Sequence, residues 1–175
     1  MQVNKIGFLE SYASDTKSGL MGAILVTDID TKPLEFRVTA PIKPTNFQKT
    51  LYGDVLLEHI QVELISVPLI NALSGEVDLI LVRDPLFLGA NEKQNVRVVR
   101  IFEKSEKKNN NSVSEEIPAP WNGGEVCIES GKKFQSELPE IKEMLSEISS
   151  KRNIIEPFER LKLACEQVQL QKTNE

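Results

Sequence analysis

The chain has 175 residues, 40% of them hydrophobic, with 21 Lys and Arg against 26 Asp and Glu, a net charge of −5 and a pI near 5.1. That length can bury a full core, while the acidic balance argues against general affinity for phosphate backbones or anionic membranes, which comes mainly from clustered Lys and Arg. Two cysteines and one histidine are too few for a structural zinc site, so no metal is expected there and Cys127 and Cys165 are expected as buried thiols in a reducing compartment.

The opening MQVNKIGFLESY has no basic start and no long apolar run, and no stretch is apolar enough to span a bilayer, so a cytoplasmic protein without membrane contact is expected. Lys5 to Ser11, Gly22 to Asp28 and Leu34 to Thr39 read as three strands joined by turn-rich segments, Ser14 to Gly19 and Asp28 to Pro33. In LEFRVT, Leu34, Phe36 and Val38 face one way and Glu35, Arg37 and Thr39 the other, the ordinary pattern of a sheet with one solvated face. Pro41 and Pro44 then hold the chain extended ahead of a helical stretch from Phe47 to Leu73.

Thr45 and Gln48 match a capping box, in which each side chain satisfies a backbone donor at the other's position. Gly53-Asp54 marks an interruption or a restart, Pro68 should kink or split the helix, and Ser74-Gly75 should stop it. The fourth strand, Asp78 to Arg83, has a continuous run from Leu79 to Val82, which fits a central strand covered on both faces. Val96 to Phe102 reads as a fifth strand whose alternation breaks at Val98-Val99, suggesting a bulge or an edge.

Lys104 to Pro120 is almost free of apolar residues and reads as a flexible linker or loop, with a short strand from Glu125 to Ile128 beyond it. Leu138, Ile141, Leu145 and Ile148 make one helical stripe, and Phe158, Leu161, Ala164, Cys165 and Val168 make another. The sum is an α/β protein with a mixed, mainly antiparallel sheet of about five strands in β-β-β-α-β-β order, helices packed on it and a C-terminal helical pair. The expected organisation is a core over 1–103, a flexible linker or loop over 104–120 and a mainly helical segment over 121–175.

Glu10 in the first strand and Asp84 at the end of the fourth occupy places that can meet across a central strand pair. The element order over residues 5–84 resembles that of the ribonuclease H-like nucleases. The resemblance implies carboxylates holding two divalent ions, Mg or Mn, that activate water and stabilise the leaving oxygen of a phosphodiester, with Glu10 and Asp84 as catalytic acids. The chain departs from that pattern in having no aspartate in the middle of the first strand, no acid firmly placed on the helix, and Arg83 beside Asp84. The plainer reading is that Asp84-Pro85 ends the strand, with Asp84 pairing with an arginine or accepting a turn hydrogen bond.

Lys43, Thr45 and Asn46 gather at a helix start where an anion could be held, and His59 has acids nearby but no nucleophile to activate. No P-loop or dinucleotide fingerprint occurs. With no complete catalytic set, the primary expectation is a non-catalytic protein that associates with itself or with a protein partner through its C-terminal helices, without a cofactor and with nucleic acid an unlikely partner. The alternative is a divalent-metal-dependent nuclease or phosphodiesterase with a ribonuclease H-like core, using Mg or Mn.

Overall fold

The aliphatic runs of the chain pair into one sheet. A computed structural model describes residues 1–13, 19–106 and 112–173. The strands are β1 (Lys5–Ala13), β2 (Leu20–Asp28), β3 (Pro33–Val38), β4 (Leu79–Val82), β5 (Arg97–Phe102), β6 (Ser114–Ala119) and β7 (Gly124–Ser130). They form a seven-stranded sheet in the order β3-β2-β1-β4-β5-β7-β6. β4 runs parallel to both β1 and β5, and the other neighbours are antiparallel, so the sheet is mixed.

β4 is the middle strand and is buried throughout, as its unbroken LILV run requires. Seven strands replace the expected five or so, because β6, SEEIPA, hides as a polar stretch. Lying at the sheet edge, β6 buries only Ile117 and Ala119, so the apolar content that marks an inner strand is missing. The segment expected as a linker therefore contains a strand, and its residues 107–111 lie outside the described residues, as do 14–18 of the first turn. β5 is an inner strand, not an edge: its Val98-Val99 and Ile101-Phe102 pairs bury one residue on each face.

Between β3 and β4 the backbone stays helical but changes pitch. α1 (Asn46–Tyr52) starts at the expected capping box, followed by a 3₁₀ turn at Gly53–Val55, α2 (Leu56–His59), a π-helical segment Ile60–Ser66 and α3 (Val67–Asn71). Pro68 does not split the helix. It cannot donate to an upstream carbonyl, and the preceding turns are widened instead, so that the Val67 N–H bonds the Val62 carbonyl. The stop also differs from the expected glycine cap: Glu35 reaches from β3 and accepts from the Ser74 N–H at 3.0 Å and from its hydroxyl at 3.1 Å.

The C-terminal helices are α4 (Leu138–Lys151) and α5 (Glu156–Thr173). On their side of the sheet Ile141, Leu145 and Phe158 join Phe8, Leu81 and Val99 in one core cluster, and Leu161 and Cys165 pack with Met21 and Leu25. Association through these stripes is corrected by this packing, since both are spent on the chain's own sheet. On the opposite side Ile60, Ile65 and Phe87 pack with Leu9, Ile24 and Val82. No helix among the described residues is long and apolar enough to cross a membrane.

Candidate functional site at the end of the central strands

β1 and β4 pair in parallel with Leu9 opposite Val82, so the residues that follow each of them reach the same end of the sheet. Side chains alternate between faces along a strand. Phe8 and Leu81 belong to the cluster on the α4–α5 side, and Leu9 and Val82 to the cluster under the π-helical segment. Glu10 and Arg83 therefore continue the first face, and Ser11 and Asp84 the second.

The contacts agree with that parity. Arg83 Nε donates to Glu10 Oε2 at 2.9 Å, and its guanidinium lies 4.8 Å from the centre of the Phe158 ring on α5. Burial pushes the Glu10 carboxyl above its usual range, and the Arg83 hydrogen bond and charge only partly oppose this. On the other face Asp84 Oδ1 accepts from the Leu86 N–H at 2.9 Å, capping a 3₁₀ helix over Pro85–Glu92. Gln61 Nε2 donates to Asp84 Oδ2 at 3.2 Å and to Ser11 Oγ at 2.8 Å. Gln61 is buried, and its Oε1 has no partner among the described protein groups.

Two glycines let the π-helical segment come close enough for these bonds. A Cβ on Gly22 of β2 would fall 2.2 Å from Ile65 Cγ2, and one on Gly89 would fall 2.8 Å from Val62 Cγ2. Glu10 and Asp84 thus reach one end of the sheet but face opposite sides of it, each with a different partner. Ser11 and Gln61, the companions of Asp84, are absent from the sequence-based candidates. Gln61 falls three residues after Glu58, on what a regular 3.6-residue period marks as the polar face.

Lys43, Thr45 and Asn46 stand where α1 begins. The Thr45 hydroxyl accepts from the Gln48 N–H at 3.1 Å while Gln48 Oε1 accepts from the Thr45 N–H at 2.9 Å, so both polar groups are spent on the cap. His59 stacks on Tyr52 with ring centres 4.4 Å apart and has Nδ1 3.4 Å from Glu63.

Two-ion phosphodiester chemistry needs several carboxylates converging on the ions. Among the described residues no three His, Cys, Asp or Glu side chains form a group that could hold a metal ion. Asp84 has an amide and a hydroxyl for company, and Glu10 already carries a guanidinium. The residues present do not fit a two-ion site.

A mixed seven-stranded sheet with two parallel central pairs, covered by helices on both faces, makes the chain an α/β protein. No protein-family model matches it, and no curated protein does. Among solved structures it is similar to endonuclease V of Streptomyces avermitilis, at a TM-score of 0.66 and 13% identity over 99% of this chain and 84% of that one. Human endonuclease V aligns at a TM-score of 0.59 and 10% identity, over 98% of this chain and 86% of that one. An endonuclease V of Ciona intestinalis, in complex with a 23-mer DNA containing an inosine followed by a ribo-adenosine, aligns at 0.56 and 14%, over 99% and 88%.

At these identities the likeness shows the fold. It overturns the expectation of a non-catalytic protein-interaction or oligomerising protein, because the three solved proteins named above are endonucleases. It also overturns the expectation that nucleic acid is an unlikely partner, since one of them is held on DNA. The overall acidity that prompted that expectation measures net charge, which says little about one local surface.

Proposed function

We propose that the chain is a nuclease-type protein acting on a nucleic-acid strand at the Ser11–Gln61–Asp84 cluster. The observation that carries this reading is a carboxylate, Asp84, at the end of the central parallel strands of a sheet similar to that of endonuclease V. Asp84 is the group to take a proton from a water whose oxygen bonds to phosphorus as the phosphorus–oxygen bond to the sugar breaks, the leaving sugar oxygen taking a proton from solvent. Gln61 holds that carboxylate in place and is itself anchored by its bond to Ser11.

A single general base supplies only about a hundredfold to ten-thousandfold, so incision is slow on this reading and strand recognition dominates. The helical layer that carries Gln61 offers surfaces for bases: Phe47 is 72% exposed and Tyr52 is stacked on His59. Lys43, with Thr45 and Asn46 beside it, supplies a phosphate contact at the start of that layer. The setting is the cytoplasm, where the buried thiols of Cys127 and Cys165 stay reduced.

The test offers labelled single and duplex oligonucleotides, with and without inosine, to the native chain and to Asp84→Asn, in Mg²⁺, in Mn²⁺ and in EDTA. The native chain is expected to retain a strand and incise it slowly. Asp84→Asn should retain it at least as well, one negative charge near the phosphates having gone, and not incise it. Absence of retention by the native chain under every condition sinks the reading, and equal incision by Asp84→Asn removes Asp84 from it.

A further inference from the structure

We infer that this site works without a divalent ion, because groups of the chain itself occupy the ion's role: the Gln61 amide on Asp84 and the Arg83 guanidinium on Glu10. Its strand-binding arm rests on the nucleic-acid reading, and its metal arm does not.

Both Glu10 and Asp84 have a partner group built in. Both oxygens of Asp84 accept a hydrogen bond, from the Leu86 N–H at 2.9 Å and from Gln61 Nε2 at 3.2 Å. The Gln61 amide points its N–H₂ at both Ser11 Oγ and Asp84, the orientation that makes two bonds. Reversing it would set a carbonyl oxygen against a carboxylate oxygen. A hard cation seeks oxygen ligands, and here it meets amide hydrogens.

On the other face, Arg83 spends Nε on Glu10, and its terminal nitrogens have no hydrogen-bond partner among the described residues. The side chain is 46% exposed and lies over Phe158, whose ring, meeting Phe8 edge-on with centres 5.4 Å apart, is fixed in the core. That leaves the terminal donors of a half-exposed guanidinium at the strand ends, the group with which arginine grips a phosphate. The positive charge that a phosphodiester meets at this end of the sheet is then covalent and permanent.

The experiment measures Mn²⁺ uptake by the full chain from the electron paramagnetic resonance signal of free Mn²⁺, and oligonucleotide retention in EDTA and in Mn²⁺. The native chain should leave the Mn²⁺ signal unchanged and retain the strand equally in both. Arg83→Gln should weaken retention in EDTA by about tenfold, the loss of one charge-assisted contact. Ser11→Asp with Gln61→Glu, checked for folding by near-ultraviolet circular dichroism, should gain Mn²⁺ uptake, since it turns the cluster into three carboxylates.

Stoichiometric Mn²⁺ uptake by the native chain, or retention that requires Mn²⁺, overturns the inference and leaves the nuclease reading standing. Retention of no oligonucleotide together with no Mn²⁺ uptake sinks the nucleic-acid reading and supports the ion-free site. A folded double variant that still takes no Mn²⁺ overturns the assignment of amide and hydroxyl as the ion's replacements.

Discussion

A carboxylate with both oxygens already hydrogen-bonded reacts sharply to a second charge. In Gln61→Glu a carboxyl would stand where the amide nitrogen lies 3.2 Å from Asp84, and two like charges that close, one of them buried, cannot both ionise. The variant should lose about 1–3 kcal/mol at neutral pH and recover it as acid protonates one of the pair, which denaturant unfolding across a pH series will read. A flat profile would separate Gln61 from Asp84. For Glu10 the sign also follows from the shift: its folded pKa is raised, mainly by burial. Its contribution to stability is full below the unfolded carboxyl value and is lost as pH rises through the folded one. Glu10→Gln, a mimic of the protonated form, should accordingly match or exceed the native chain at neutral pH and lose that advantage in acid. Asp84 shows how far a single residue can be read from sequence. The motif LILVRDP announces a solvated acid at a strand end, yet the strand parity that turns Glu10 to one face and Asp84 to the other depends on register with β1, which no local pattern states.

The π-helical segment Ile60–Ser66 decides whether Gln61 reaches the strand ends. Gly22→Ala would set a methyl group 2.2 Å from Ile65 Cγ2, lifting that segment from β2. The expected cost is about 1–3 kcal/mol, as for other overpacked cores, together with weakened strand retention although the variant lies outside the Ser11–Gln61–Asp84 cluster. Unchanged stability would mean that the segment and the sheet do not touch there. At this scale the inner strands were legible because burial on one or both faces leaves a periodic or continuous apolar trace. LILV alone marks β4 as a central strand. β6 leaves no such mark, because an edge strand needs few apolar residues, and neither do the widened turns before Pro68, which depart from the 3.6-residue period of a regular helix. The stop at Ser74 escaped for another reason: its partner, Glu35, is distant in sequence.

For the molecule as a whole, α4 and α5 are not appendages. Leu138, Ile141, Leu145, Phe158 and Leu161 are fully buried against the sheet. Cutting the chain after Lys132 should therefore unfold or aggregate the remainder, and a soluble remainder with native strand signals would contradict this packing. Cys165 belongs to the same layer, its thiol pushed up to about 12 by burial, so thiol reagents at neutral pH should label it only once the fold opens. The sequence pattern revealed both stripes but not what covers them, since an amphipathic helix docks alike on its own sheet or on a second chain.

The central claim is that this sheet serves a nucleic-acid strand at the Asp84 cluster. The most direct measurement follows the native chain and Asp84→Asn on a labelled inosine-containing oligonucleotide, scoring retention and incision in the same samples. Retention by both with slow incision by the native chain alone is the predicted result. Failure of the native chain to retain the strand, or incision that survives the substitution, would contradict it.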